Sequence, residues 1–542
     1  MLRRPLLLIF LLALALRLAV VISTADLPIG LDDMFQYDML ARSIVAGNGY
    51  RWYAQEDLAL IQRYLQMEVP PEYDPRGVPT SFRPPLYPAF LALVYLVVGS
   101  GAHRLFAARL VQAVLGAGLA PLTGLLARRL GLSERVGRWA AGAIAVYPLL
   151  VIYPLALATE NLYVPLLALA LCVLLRAGET GRARDFALAG LLLGFTALTR
   201  SVVTFFVPIA AVWAVVGKGT VGATLRGRPA LRGRPALRGR PALRGRPALR
   251  GRPALRGRPA LCGRPALRGR PALRGRPAPG ADGAGTVGAT TEGRPYGNGV
   301  LLLLCFLLVT IPWSVRNTLL HGEFHFIESA LGYDLYVGYH PLSTGTFTYQ
   351  VSRDLLPILD DGERHRQGMA AFWSFVRADP ARVFYLMVRK FGHFWALDRR
   401  AFQYFYSNGF FGQWPTWMVG GALALLCAPL LLVAPGGLAG AALTRPRRAT
   451  LLIGLLLIYY VGIHMLILAE DRFHVPLLPL LAVFTAHALL DRPWRQAARW
   501  QRIVAVALVL ALLATWSSEL VRDHELLLAL LGPQGSQLGL SY

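Results

Sequence analysis

Lysine is nearly absent from this 542-residue chain: Lys218 and Lys390 are the only two. Acidic residues are sparse as well, 30 against 56 lysines and arginines. Of four cysteines, Cys172, Cys305 and Cys427 sit inside apolar runs and Cys262 in a repeat. None falls in a predicted external loop, so no disulfide framework is expected. No His, Cys, Asp or Glu spacing matches a structural metal site, and there is neither a Walker loop nor a Gly-x-Gly-x-x-Gly turn. His464 and His474 are too isolated to read as ligands.

What is abundant is apolar. Hydrophobic residues make up 55% of the chain, which excludes a soluble protein of this size and indicates a polytopic membrane protein. The net charge of +26 resembles that of a nucleic-acid binder, but it is concentrated in one place. Residues 225–278 are nine copies of Leu-Arg-Gly-Arg-Pro-Ala, with Cys262 replacing one arginine. They hold 17 arginines and no acid, and removing these 17 charges from +26 leaves +9. That is ordinary for a membrane protein with basic cytoplasmic loops, so no nucleic-acid partner is expected. The repeat has no packing face and reads as a disordered cytoplasmic linker within 219–298. A neutral tandem expansion accounts for it; attraction to anionic headgroups is the sharper alternative.

Apolar runs of bilayer length occur at about 5–23, 103–127, 139–157, 161–175, 186–199, 202–217, 299–315, 416–434, 450–468, 474–490 and 503–518, eleven in all. The first reads as a retained signal-anchor, with Arg17 snorkelling near its outer end. A twelfth run, 84–99, is short and opens with two prolines. Basic loops arbitrate. If 84–99 lies in the interface, Arg3, Arg4, the Arg128–Arg138 loop, the repeat, the Arg445–Arg448 loop and the Arg492–Arg502 loop are all cytoplasmic. The expected protein is therefore all-α and multi-pass in the cell membrane, with a cytoplasmic N-terminus. Its N-terminal module spans 1–218 with an outer loop at 24–102. Its C-terminal module spans 299–518 with an outer loop at 316–415, followed by an outer tail at 519–542.

Chemistry-bearing residues gather on that outer face. Asp32 and Asp33 adjoin the start of a helix near Met34; one carboxylate suffices to cap it, which leaves one spare. Asp38 on the same helix reads as a solvated face residue. Arg83 precedes two prolines at headgroup level. Glu160, in Thr159-Glu160-Asn161, and Arg200 lie at the outer ends of apolar runs, where an ionisable group is costly and tends to be functional. Pro312 through Asn317 carries Arg316. Tyr333 through Pro341 reads as a turn-rich binding loop. Lys390 stands in an amphipathic stretch, and Asp471-Arg472 opens a late span.

Taken together these fragments resemble the GT-C glycosyltransferases, and among them the bacterial protein O-mannosyltransferase and lipid A aminoarabinose transferase group. The shared features are Asp33, Tyr37, Ala41, Gly47 and Gly49 after the first span, Arg83–Pro88, Thr159–Asn161, Leu198–Arg200, Pro312–Asn317 and Arg472–Pro476, in that order. The resemblance implies a GT-C fold with about eleven spans and juxtamembrane helices. It also implies inverting transfer from a polyprenyl-phosphate sugar to a glycan, lipid or protein acceptor on the outer face. Asp33 would be the general base, Asp32 its flanking alternate, and Glu160 a positioning carboxylate. Arg83, Tyr37, Arg200, Arg316, Lys390 and Arg472 would bind substrate, the cations facing the departing lipid phosphate. No cofactor is required, although a divalent metal is allowed. The rival readings are a transporter or flippase of a lipid-linked sugar, and a non-catalytic membrane scaffold.

Overall fold

A computed structural model describes residues 4–30, 32–62, 69–216 and 295–539. The repeat, and with it most of the expected linker, lies outside the described residues. Helices make up nearly all of the regular structure. Among the described residues the strands are Arg51–Trp52 and Val78–Pro79, an antiparallel pair with Arg51 opposite Pro79.

Eight described helices are long and apolar enough to cross a membrane: Arg4–Ser23, Arg104–Arg129, Glu160–Thr180, Tyr296–His321, Thr416–Leu443, Arg448–Leu466, Asp471–Asp491 and Arg499–Arg522. A ninth would join Glu134–Val146 to Pro148–Leu155 across a 55° bend. The runs expected at 186–199 and 202–217 fold as shorter helices, Ala183–Thr199 and Ser201–Val215. They part at Arg200, whose backbone is extended. The doubtful twelfth run forms Leu86–Val98, 13 residues. At about 1.5 Å per residue it reaches about 20 Å, too short for a hydrocarbon core of about 30 Å.

Small residues let the helices approach closely. Gly190 and Gly194 lie against Leu302, Phe306 and Val309, with no room for a Cβ. This seats Ala183–Thr199 on the first helix after the linker. The described residues on the two sides of the linker accordingly belong to one compact unit. Gly437 and Gly440 seat Thr416–Leu443 on Leu481 and Phe484 in the same way.

Arg17 departs from expectation. It does not snorkel but is fully buried, donating to Ala13 O at 3.0 Å, Ala145 O at 3.0 Å and Ile144 O at 3.3 Å. The cause lies in the bent pair. Pro148 has no N–H to offer Ile144, and the helix ends at Val146, so these carbonyls need another donor. Asp38 is likewise buried, bonded to Arg42 and Arg104 and, at 2.9 Å, to Tyr95 Oη. Three partners on three helices outweigh solvation of the carboxylate.

The segment 316–415, expected as an outer loop, contains the helices Leu331–Tyr339, Asp361–Ala378, Pro380–Phe394 and Arg400–Ser407, with a single turn at Tyr349–Ser352. The turn-rich loop expected at 333–341 is largely the first of these helices. Asp360 caps the second through Glu363 N at 3.0 Å, and Asp379 caps the third through Arg382 N at 3.0 Å with Pro380 at its first position. The expected tail from 519 is anchored by Glu519, which receives Arg399 Nε at 2.8 Å and Leu397 N at 3.0 Å.

Candidate active site

The chain positions Arg83 from three sides. The strand pair carries it out of the first loop. Asp361 then clasps the preceding residues, accepting from Thr80 Oγ1 at 2.5 Å and Ser81 N at 2.8 Å. Tyr50 Oη donates to Arg83 O at 2.9 Å. The side chain lies against the Tyr37 and Phe82 rings, 5.5 and 5.2 Å from their centroids. Its Nε donates to Gln36 at 2.9 Å, and the guanidinium pairs with Asp33.

The adjacent acids divide their work. Asp32 is the cap of helix Asp33–Val45, accepting from Met34 N at 2.8 Å and from Tyr404. That leaves Asp33 free to face two cations: Arg83, and Arg472 at 3.0 Å. Burial opposes ionisation of Asp33, but the two guanidinium groups overcome it and hold its carboxyl down at about 2. Burial pushes Asp32 up, against the hydrogen bond from Tyr404, and the charge of Asp33 adds to the push.

A second pair stands beside the first. Glu160, at the start of its helix, pairs with Arg200 from the break between two short helices. The Phe473 ring contacts both Arg200 and Arg472, whose guanidinium carbons are 4.6 and 5.7 Å from its centroid. Glu470 completes the row, accepting from Arg472 Nε at 2.6 Å.

These groups line one cavity of about 1080 Å³. Its walls are otherwise mostly apolar and include Val20, Ile152, Leu157, Phe205, Leu425 and Ile463. Asp32, Asp33, Tyr37, Arg83, Glu160, Arg200 and Arg472 all reach it, so seven of the nine residues singled out in the sequence converge.

The other two do not line this cavity. Arg316 is committed to holding the first loop, donating to Thr80 O at 2.5 Å and lying 4.8 Å over Trp313. Lys390 shares the inward stripe of its helix with Leu386 and Phe394, while Phe384, Tyr385 and Val388 face outward. It is fully buried, its Nζ 3.4 Å from the Tyr339 ring centroid, and burial lowers its ammonium to about 7. His474 is also internal, held by Phe394 O at 2.8 Å and Asp398 at 2.9 Å.

Sequence reasoning passed over Glu328, Asp334, Tyr404 and Glu470, all of which line the cavity. Glu328 accepts from Ser201 Oγ. Asp334 lay inside the 333–341 stretch read as a binding loop and Glu470 beside the Asp471-Arg472 turn, whereas Glu328 and Tyr404 had no adjacent signal. Among the described residues no group of three or more His, Cys, Asp or Glu is arranged to hold a metal ion.

Three solved structures similar to the chain are forms of the oligosaccharyltransferase AglB from Archaeoglobus fulgidus. With an inhibitory peptide and a dolichol-phosphate, identity is 13% and the TM-score 0.47, covering 94% of this chain and 54% of that one. Tethered to an acceptor peptide, the values are 14%, 0.45, 99% and 56%; for the apo form, 14%, 0.46, 98% and 56%. The chain thus spans about half the length of these proteins. No curated protein matches the chain. Residues 82–227 match the family model described as dolichyl-phosphate-mannose-protein mannosyltransferase. The segment that supplies Arg83, Glu160 and Arg200 to the cavity is therefore a match to a GT-C mannosyltransferase family.

Proposed function

We propose that this protein transfers a sugar from a polyprenyl-phosphate donor to an acceptor hydroxyl on the outer face of the cell membrane, with inversion at the sugar carbon. The observation that carries the proposal is the row of cations and carboxylates, Arg83, Arg472 and Arg200 with Asp33 and Glu160, inside an otherwise apolar cavity. The matched family is described by a lipid-phosphate sugar of this kind.

In this reading the donor phosphate draws Arg83 and Arg472 toward itself. Asp33 then loses its opposing charges, its carboxyl rises from about 2, and it becomes a competent base. The acceptor oxygen attacks the anomeric carbon while Asp33 takes its proton. The bond from that carbon to the phosphate oxygen breaks, and its electron pair stays on the phosphate. The three arginines stabilise the added negative charge. Glu160 keeps Arg200 in place. The apolar walls accept part of the polyprenyl chain.

The test uses purified protein in lipid with a panel of radiolabelled polyprenyl-phosphate sugars, comparing the natural chain with Asp33→Asn. Consumption of one donor, reduced at least ~100-fold in the variant, is the expected outcome. Equal consumption by both proteins would remove Asp33 from the base role, and label crossing the bilayer without consumption would replace transfer with transport.

A further inference from the structure

The carboxylates lining the cavity differ in one respect. Asp32 is held by Met34 N and Tyr404, Asp33 by Arg83 and Arg472, Glu160 by Arg200, Glu328 by Ser201 and Glu470 by Arg472. Asp334 lines the same cavity, yet among the described residues no hydrogen bond or ion pair reaches its carboxylate. Asp334 is only partly buried, so its carboxylate is open to whatever occupies the cavity.

Asp334 is also fixed in place. It stands in the first turn of helix Leu331–Tyr339. Gly332, two residues earlier, is pressed against the His365 backbone with no room for a Cβ, and Gly368 is pressed against Gly332 in return. Tyr333 stacks edge-on against Phe82 at 5.4 Å, and Phe82 precedes Arg83 in the chain. The helix that carries Asp334 is thus docked on the segment that carries Arg83, and the two side chains feel each other electrostatically. In the proposed reaction Arg83 holds the donor phosphate. The sugar is bonded directly to that phosphate, so a group beside Arg83 faces the sugar.

The geometry points to Asp334 as a sugar-binding residue, its carboxylate accepting a hydrogen bond from a hydroxyl of the donor sugar. This rests on the transferase reading above. The groups facing Asp334 are Glu328, Arg83, Asp33, Glu470 and Tyr333, with His325 and His365 on the same wall. Burial first, and then Glu328, raise its carboxyl to about 7. Burial lowers both histidines from their ordinary value, so they stay neutral while Asp334 ionises. The contact therefore strengthens as pH rises through 7.

The experiment measures binding of dolichyl-phosphate mannose and of dolichyl phosphate alone to the full chain in nanodiscs, at pH 6 and pH 8. Asp334→Asn is expected to weaken the mannosyl ligand roughly 10-fold or more at pH 8, the effect of losing a hydrogen bond to a charged group. The loss shrinks at pH 6, and binding of dolichyl phosphate is not weakened, which certifies the fold of the variant. Unchanged binding of both ligands in Asp334→Asn would overturn this inference and leave the transferase reading standing. Failure of the natural chain to bind either ligand would overturn both.

Discussion

At the scale of single residues, the site is a set of charges already matched to one another. Asp33 with Arg83 and Arg472, and Glu160 with Arg200, are neutralised before any substrate arrives. An acidic titration reports this directly. The carboxyl of Asp33 sits at about 2 in the folded chain, below its ordinary value of 3.8. Its contribution to stability is therefore complete above about 4 and is lost as pH falls through 2, and it amounts to about 2 kcal/mol. The stability difference between the natural chain and Asp33→Asn, followed by thermal unfolding, should narrow between pH 4 and pH 2. A constant difference over that range would remove the clamp from the account. Asp33, Arg83, Glu160, Arg200 and Arg472 were legible in the sequence because charge at an apolar boundary has few bland explanations. Lys390 and Arg316 satisfied the same criterion but do not line the cavity. The sequence shows that a cation lies near the interface, but not that Lys390 turns toward Tyr339 or that Arg316 holds Thr80.

At the scale of elements, the bend at Tyr147–Pro148 explains a buried arginine on another helix. Replacing Arg17 by leucine leaves the Ile144 and Ala145 carbonyls without a donor and should cost about 1–3 kcal/mol. In a Pro148→Ala background the helix can continue and supply its own N–H groups, so the same replacement should cost less. Equal losses in the two backgrounds, measured as a double-mutant cycle, would show that Arg17 and the bend act independently. The spans themselves were readable from run length alone, and the short helix Leu86–Val98 from its prolines and the charge of the loops. The runs meeting at Arg200 were counted as spans because hydropathy does not register a change of backbone direction. The helices within 316–415 were only partly legible. Their apolar faces pack against one another, and periodicity cannot separate that from lying on a membrane. Asp334 was missed for this reason, since its significance depends on which segment its helix docks against.

At the scale of the whole molecule, the chain builds one compact unit from segments on either side of a long insertion. The cavity takes Arg83, Glu160 and Arg200 from before it and Glu328, Asp334 and Arg472 from after it. None of these side chains belongs to the repeat. Deletion of residues 225–278 should leave donor consumption within about twofold of the natural chain and the unfolding temperature unchanged. A large loss in lipid membranes, absent in detergent, would assign the repeat to headgroup attraction instead. The coupling between Arg17 and Pro148 has a consequence for inheritance. A lineage that loses the proline no longer needs the arginine, whereas one that loses the arginine first carries two stranded carbonyls until the proline also goes. The order of the two changes is therefore constrained, and descendants of this chain that lack the arginine should lack the proline as well.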